Sequence, residues 1–415
     1  MNYKRNMLIL IILATILMSL VACSQTVNNN SSNGSQIDAT FNDTNANVDS
    51  SSNTTNVSNT SNSSAISTSV SSLLKEDELF SNRDKEQEAN LTGATKYEVV
   101  DNTDINITKE GVYVISGTAS NVTINVEAGD EEKVQLVLDN LNISNEDKEC
   151  IHVESADKVF VTTSSQSNLV YSASDTENAT GAIFSRDDIV FNGNGELTID
   201  SSYNGIVGKD DVKITGGTYN ITSGKNGIRA NDSICVAGGT INIEAGSDGL
   251  HAENSDDDSK GYIYINSCTI NITAKDDAIH ATSIVQVNGG TINVTAGEGV
   301  EGTFVQINGG TFTINGVDDG INAARKSSAY TPTFEMNNGY LTINMSQGDT
   351  DGIDSNGNII INGGTIEVNG SSTFDYDGEA VKNGGTIIIN GVETDTIPNQ
   401  MMGGGMRGGK NGFKR

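Results

Sequence analysis

The sequence predicts an all-β chain wound as a parallel β-helix, a solenoid of coils about 22 residues long. Three observations predict it. A short unit centred on Gly-Gly-Thr returns through the C-terminal two thirds of the chain. Apolar residues on both sides of that unit alternate with period two. No unit carries helical spacing, which excludes leucine-rich and βαβ repeats.

The units read "GNGELTI" (193–199), "GGTYNI" (216–221), "GGTINI" (238–243), "NSCTINI" (266–272), "GGTINV" (289–294), "GGTFTI" (309–314), "NGYLTI" (338–343), "GGTIEV" (363–368) and "GGTIII" (384–389). Their third positions are Glu196, Thr218, Thr240, Thr269, Thr291, Thr311, Tyr340, Thr365 and Thr386, separated by 22, 22, 29, 22, 20, 29, 25 and 21 residues. A β-sandwich would not sustain such a period. Pairs such as Val212/Ile214 and Ile234/Val236 precede the glycines, and pairs such as Tyr219/Ile221 and Ile241/Ile243 follow them. Period-two spacing sends each pair to one side of a strand. The Gly-Gly step lets the backbone turn between strands. Asn220, Asn242, Asn271 and Asn293 share one outward slot, where stacked amides can bond from coil to coil. Roughly thirteen coils between about residues 95 and 395 would span on the order of 60 Å.

The ends read differently. Residues 1–23 resemble a secretion signal, with Lys4 and Arg5 before an apolar stretch from Met7 to Val21. The close, "LVAC", resembles a bacterial lipoprotein cleavage site. Cys23 is then the expected lipidation site, and its lipid anchor places the protein on the extracellular face of the bacterial cell membrane. Residues 24–91 open with a Ser/Asn/Thr-rich stretch too polar to bury a core, and the segment is expected to be a disordered linker. The β-helix is expected over 92–395, followed by a Gly- and Met-rich flexible tail over 396–415.

The chain has 415 residues and a formal charge of −30. With the basic ends set aside, 18 basic residues face 54 acidic ones. Such a surface repels nucleic acid. Beyond Cys23, Cys150, Cys235 and Cys268 form no disulfide framework or zinc pattern; Cys150 and Cys268 fall where other units have glycine, so they read as small packed residues.

Upstream of each strand pair stands an acid or amide followed by a small residue and an aliphatic one. The series runs Asn204, Asn226, Asp248, Asp277, Glu298, Asp319 and Asp351, with a degenerate copy at Asp377. Stacked, these residues form a column. Carboxylates about 5 Å apart repel by about 0.8 kcal/mol in water and about 3 kcal/mol at an effective dielectric of 20. Asp276, Asp318, Asp349, Glu301 and Asp354 add to the crowding. Calcium, an oxygen-seeking ion, would bridge carboxylates of adjacent coils. The candidate calcium ligands are therefore Asp248, Asp276, Asp277, Glu298, Glu301, Asp318, Asp319, Asp349, Asp351 and Asp354. The competing explanation is that Asp-Gly and Asn-Gly are turn dipeptides needing no metal. His251 and His280 share a slot that Arg229 occupies one coil earlier; packed or solvated histidines are expected there rather than a soft-metal pair.

Two insertions, "ENSDDDSKGY" (253–262) and "ARKSSAYTP" (324–332), lie beside the acidic column. Loops on one side of a solenoid suit a binding face. Lys275, Arg325, Lys326 and Tyr330 are the candidate carbohydrate-binding residues, and Tyr262, Tyr264 and Tyr376 are further stacking surfaces.

Segments "EGVYVISGTASNVTINV" (110–126), "VQLVLDNLNISN" (134–145) and "IHVESADKVFVTTSSQSNLVY" (151–171), followed by the GGT and DGI coils, resemble bacterial cell-surface carbohydrate-binding domain-containing proteins. The likeness covers about residues 92–392. It implies a right-handed parallel β-helix of pectate-lyase-like form, bound Ca²⁺, and binding of an acidic plant cell-wall polysaccharide, notably polygalacturonate. Binding by a monomer is favoured over catalysis. The alternatives are a calcium-dependent lyase acting by β-elimination, with a Lys or Arg base, and a surface adhesin or spacer.

Overall fold

A computed structural model describes residues 72–174, 177–347 and 350–400. Cys23 and Asp349 lie outside the described residues, as do the signal segment and residues 401–415.

The described chain is a parallel β-helix. Each regular coil contributes one strand to each of three sheets, as in Thr218–Ser223, Ile228–Ala230 and Ser233–Val236. The strand before the glycines belongs to the first sheet, the strand after them to the second, and the DGI-type segment to the third. The third sheet has 12 strands, from Ile105–Ile107 to Ser372–Tyr376. The first two sheets merge through the long strands Gly111–Ser120 and Lys133–Glu146, which cross the corner without a break.

Register follows the repeat. Thr218 pairs with Thr240, Thr240 with Thr269, Thr269 with Thr291, Thr291 with Thr311, Thr311 with Tyr340, and onward to Thr365 and Thr386. The second glycine of the turn takes a positive φ, +87° at Gly217 and +102° at Gly290, which a side chain would disfavour. Where that glycine is missing, Cys268 stands in its place and the positive φ falls one residue earlier, 53° at Ser267.

Inward residues stack into apolar columns. Leu197, Tyr219, Ile241, Ile270, Ile292, Phe312, Leu341, Ile366 and Ile387 form one, and all are buried. Each such side chain contributes about 1.5–3 kcal/mol by leaving water. The three described cysteines are buried and free. Outward, Asn220, Asn242, Asn271 and Asn293 make the expected ladder, with amide bonds of 2.8, 2.9 and 3.0 Å. A second ladder follows Asn288, Asn308, Asn337, Asn362 and Asn383 at 2.7–2.8 Å. The final strand Val392–Thr394 turns back antiparallel on Thr386–Ile389 and closes that end of the second sheet.

Residues 72–91, expected to belong to the tether, instead form an ordered strap on the outer face of the first sheet. Polarity did not prevent docking, because the sheet offers matching polar partners. Gln286 and Leu74 exchange two hydrogen bonds of 2.7 and 2.8 Å. Glu76 accepts from Tyr264 and Asn266, and Phe80 packs on Tyr264 and Cys235. Further along, Arg83 lies 4.5 Å over the Phe160 ring, and Gln87 accepts from the Gly193 N–H. Tyr264 is thereby fully buried, so the strap removes it as a stacking surface, while Tyr262 is half-buried beside it. Among the described residues, no helix is long and apolar enough to cross a membrane.

Candidate functional site

The third sheet gathers most of the polar residues singled out in the sequence into three columns. The edge column, on the turn entering the sheet, runs Tyr203, Lys225, Ser247, Asp276, Gly297, Asp318. Backbone bonds of 2.8–3.3 Å link each to the next. The inner column runs Asn204, Asn226, Asp248, Asp277, Glu298, Asp319, Asp351. The outer column runs Val207, Arg229, His251, His280, Glu301, Asn322, Asp354, Asp375, each paired in register with the next. All three columns change character in the same direction. Aromatic, amide and cationic groups lead, and carboxylates follow.

The inner column has a structural duty that sequence reading missed. The Oδ1 of Asn204, Asn226, Asp248 and Asp319 accepts the backbone N–H of the corresponding residue one coil on. Asn204 serves Asn226 at 3.2 Å, Asn226 serves Asp248 at 3.3 Å, and Asp248 serves Asp277 at 3.1 Å. Asp319 serves Asp351 at 3.1 Å. Asp and Asn are interchangeable for this purpose, since both present an acceptor at the same reach. A buried backbone donor left unpaired is costly, which explains the recurrence independently of any metal.

Around the middle of the face, carboxylates meet cations of the protein itself. His280 Nδ1 lies 2.7 Å from Asp277 Oδ2 and 2.9 Å from Glu301 Oε2. Lys326, from the second insertion, reaches Glu301 at 2.8 Å. Burial would lower the His280 pKa, but hydrogen bonds to Asp277 and Glu301 outweigh it and push it up to about 10. His251 lies 2.7 Å from Asp248 and stacks on His280 at 4.7 Å between ring centroids. The same arrangement recurs at His152, whose partners are Glu149 and Glu154. All three histidines of the chain thus sit in one column, each with an acid three residues before it.

Further along, the carboxylates lose their cations. Among the described residues, Asp319, Asp354, Asp375 and Asp377 have no ion pair to Lys, Arg or His. Burial and repulsion from Asp319, Asp375, Asp351 and Asp377 push Asp354 up to about 7. Burial, with Asp351, Asp318 and Glu301 nearby, pushes Asp319 up to about 6. Glu298, half-buried and close to Asp277 and Glu301, rises to about 7. Asp276 and Asp318 are exposed on the edge. Oxygen ligands from Asp248, Asp276 and Asp277 lie within 4.8 Å of one another.

The carbohydrate-binding candidates are distributed along this face and its rim. Lys275 and Arg325 are exposed. Lys326 is tied to Glu301, and Tyr330 packs edge-on against Phe304 with centroids 6.4 Å apart. The two insertions grip each other. Ser327 Oγ donates to the Asp258 carbonyl at 2.9 Å, and Ser328 bonds the Asp258 carboxylate. A further acidic group, Asp188, Asp210 and Asp211, escaped sequence reading. Its signal was present as "DD" before successive first-sheet strands, in "RDDIV" and "KDDVK". Lys158 and Lys213 partly neutralise it, and the strap's Asp84 lies 3.5 Å from Lys158.

Fold and site together define a parallel β-helix with one polar, charge-graded face. The chain belongs to the carbohydrate-binding domain-containing protein family, whose model matches residues 101–303 and 298–396. A relative from Acetivibrio thermocellus, also described as a carbohydrate-binding domain-containing protein, is 37% identical over 148 residues. That match covers 34% of this chain and 50% of the relative, so the chain spans about half the length of that curated protein. A solved structure, a gadolinium derivative of the polysaccharide lyase-like protein from C. thermocellum, is 32% identical, with a TM-score of 0.44 over 54% of this chain and 94% of that one.

Proposed function

We propose that this protein binds an acidic polysaccharide of the polygalacturonate kind through calcium ions held on the third sheet. One observation carries the reading. Asp354 is half-buried among four other aspartates with no protein cation at hand. A divalent ion would remove that repulsion, and carboxylate oxygens suit calcium. Asp319, Asp351, Asp354 and Asp375 would hold the ion; its chemistry is to bridge protein carboxylates and a uronate that they would otherwise repel. Asp277 and Glu301 fit calcium less well, because His280 and Lys326 already engage their oxygens. Lipid attachment at Cys23 and display on the outer face of a bacterial membrane belong to the same proposal.

Calorimetric titration of the full chain with calcium is the test, followed by migration in gels containing polygalacturonate. Wild type should bind calcium and be retarded, and chelator should abolish retardation. Asp354→Asn with Asp319→Asn should reduce calcium affinity about tenfold or more while preserving the fold, on the scale of hydrogen bonds to charged groups. Unchanged calcium binding in that variant would remove the site. Accumulation of unsaturated, ultraviolet-absorbing product in the same mixtures would show a lyase instead.

A further inference from the structure

We propose that the hollow beside Arg229 is a subsite for one carboxylated sugar residue, gripped directly by Lys225 and Arg229 without a metal ion. The inference rests on the reading of this face as a surface for acidic polysaccharide, and it adds a second mode of capture at the opposite end of the columns.

The hollow has a volume of about 250 Å³, walled by Tyr203, Lys225, Asn226 and Arg229 and by two carboxylates, Asp248, which His251 engages at 2.7 Å, and Glu253. Arg229 Nε is buried and donates no hydrogen bond, and its Nη2 meets Glu253 only at 3.5 Å. An orphaned guanidinium N–H is a donor awaiting an acceptor. Lys225 is exposed and has no ion pair among the described residues, whereas His251, His280 and Lys326 on the same face are all engaged by carboxylates. A carboxylate presented to this hollow would satisfy the forked guanidinium and the ammonium together. The half-buried Tyr203 adds an apolar flank for sugar C–H groups.

Calcium is poorly suited here. The inner column opens here with neutral Asn204 and Asn226, whose Oδ1 atoms already accept backbone N–H groups, and the next residue, Asp248, is held by His251 and the Asp277 N–H. Arg229 and Asp354 stand in one outer column, five coils apart, or about 24 Å at about 4.8 Å per coil. One extended acidic chain laid along the sheet would meet Lys225 and Arg229 at one end and calcium at the other.

The experiment measures binding of a galacturonic acid trimer to the full chain, by calorimetry, in calcium and in excess chelator. Wild type should keep weak, salt-sensitive binding in chelator. The fully methyl-esterified trimer should not bind. Lys225→Gln with Arg229→Gln should lower the chelator-resistant affinity about tenfold or more, while Asp319→Asn with Asp354→Asn should leave it unchanged. Lys225→Gln alone, at an exposed position, should give a smaller loss in the same direction and guards against misfolding of the double variant. Binding that vanishes in chelator but persists in calcium would overturn the subsite and leave the polysaccharide reading intact. So would chelator-resistant binding indifferent to both substitutions. Failure to bind either the trimer or polygalacturonate, with or without calcium, would overturn both.

Discussion

At the scale of single residues, the recurring Asp and Asn of the third sheet do two jobs that substitution can separate. At Asn204, Asn226, Asp248 and Asp319 the Oδ1 pairs a backbone N–H of the next coil, and charge, where present, is available to a cation. Asp248→Asn keeps the acceptor, whereas Asp248→Ala strands the Asp277 N–H. Chemical denaturation should therefore find the alanine variant about 1–3 kcal/mol less stable; the asparagine variant should stay closer to wild type, losing the His251 ion pair. Equal losses would mean that charge, not the hydrogen bond, explains the column. Asp354 shows the other job. Its pKa rises from an ordinary value of 3.8 to about 7 in the fold, with burial the largest cause. The native state thus holds a proton that the unfolded chain has released. In chelator, Asp354 should favour the fold below about pH 4, lose that advantage as pH rises towards 7, and penalise the fold fully above 7. Melting temperatures across this range, with and without calcium, check it: calcium should recover stability at the upper end and do little at the lower.

At the scale of elements, what the sequence revealed depended on how local the cause was. Strands such as Thr240–Ala245 were legible because alternation of Ile241 and Ile243 with polar neighbours needs only one strand to be seen. Coil register was legible because the period repeats, and with it came the Asn220–Asn293 ladder. Glu301 contacting His280 and Lys326 was not legible: it joins one coil to its neighbour and to an insertion, which no spacing rule specifies. The strap was missed for a related reason. Its many charged residues read as an extension of the tether, and its affinity comes from pairings such as Leu74 with Gln286, 212 residues apart. Phe80, the strap's apolar anchor on Tyr264, is the place to test it. Phe80→Ala should loosen residues 72–91 selectively, read as faster amide exchange at the strap and at Cys235 and Tyr264, with the other coils protected as before. General loss of protection would show that the strap is integral to the stack.

At the scale of the whole molecule, a net charge of −30 is not spread evenly over the functional face. Three columns pass together from Tyr203, Asn204 and Arg229 to Asp318, Asp319 and Asp354. The acidic half was legible from DGI spacing. The cationic start was not, because Lys225 and Arg229 are ordinary surface residues until register places them on one hollow with Asn204 and Asn226. The strap adds a mechanical consequence. Its residues 73 and 74 engage Gln306 and Gln286, deep within the stack, while Gln87 lies back at Gly193. Tension applied to the amino-terminal side therefore enters at an interior coil and must shear a row of side-chain clasps before it reaches the opening strand Thr95–Glu98. A solenoid pulled from its first strand would unwind turn by turn; this one is spared that fate for as long as the clasps hold.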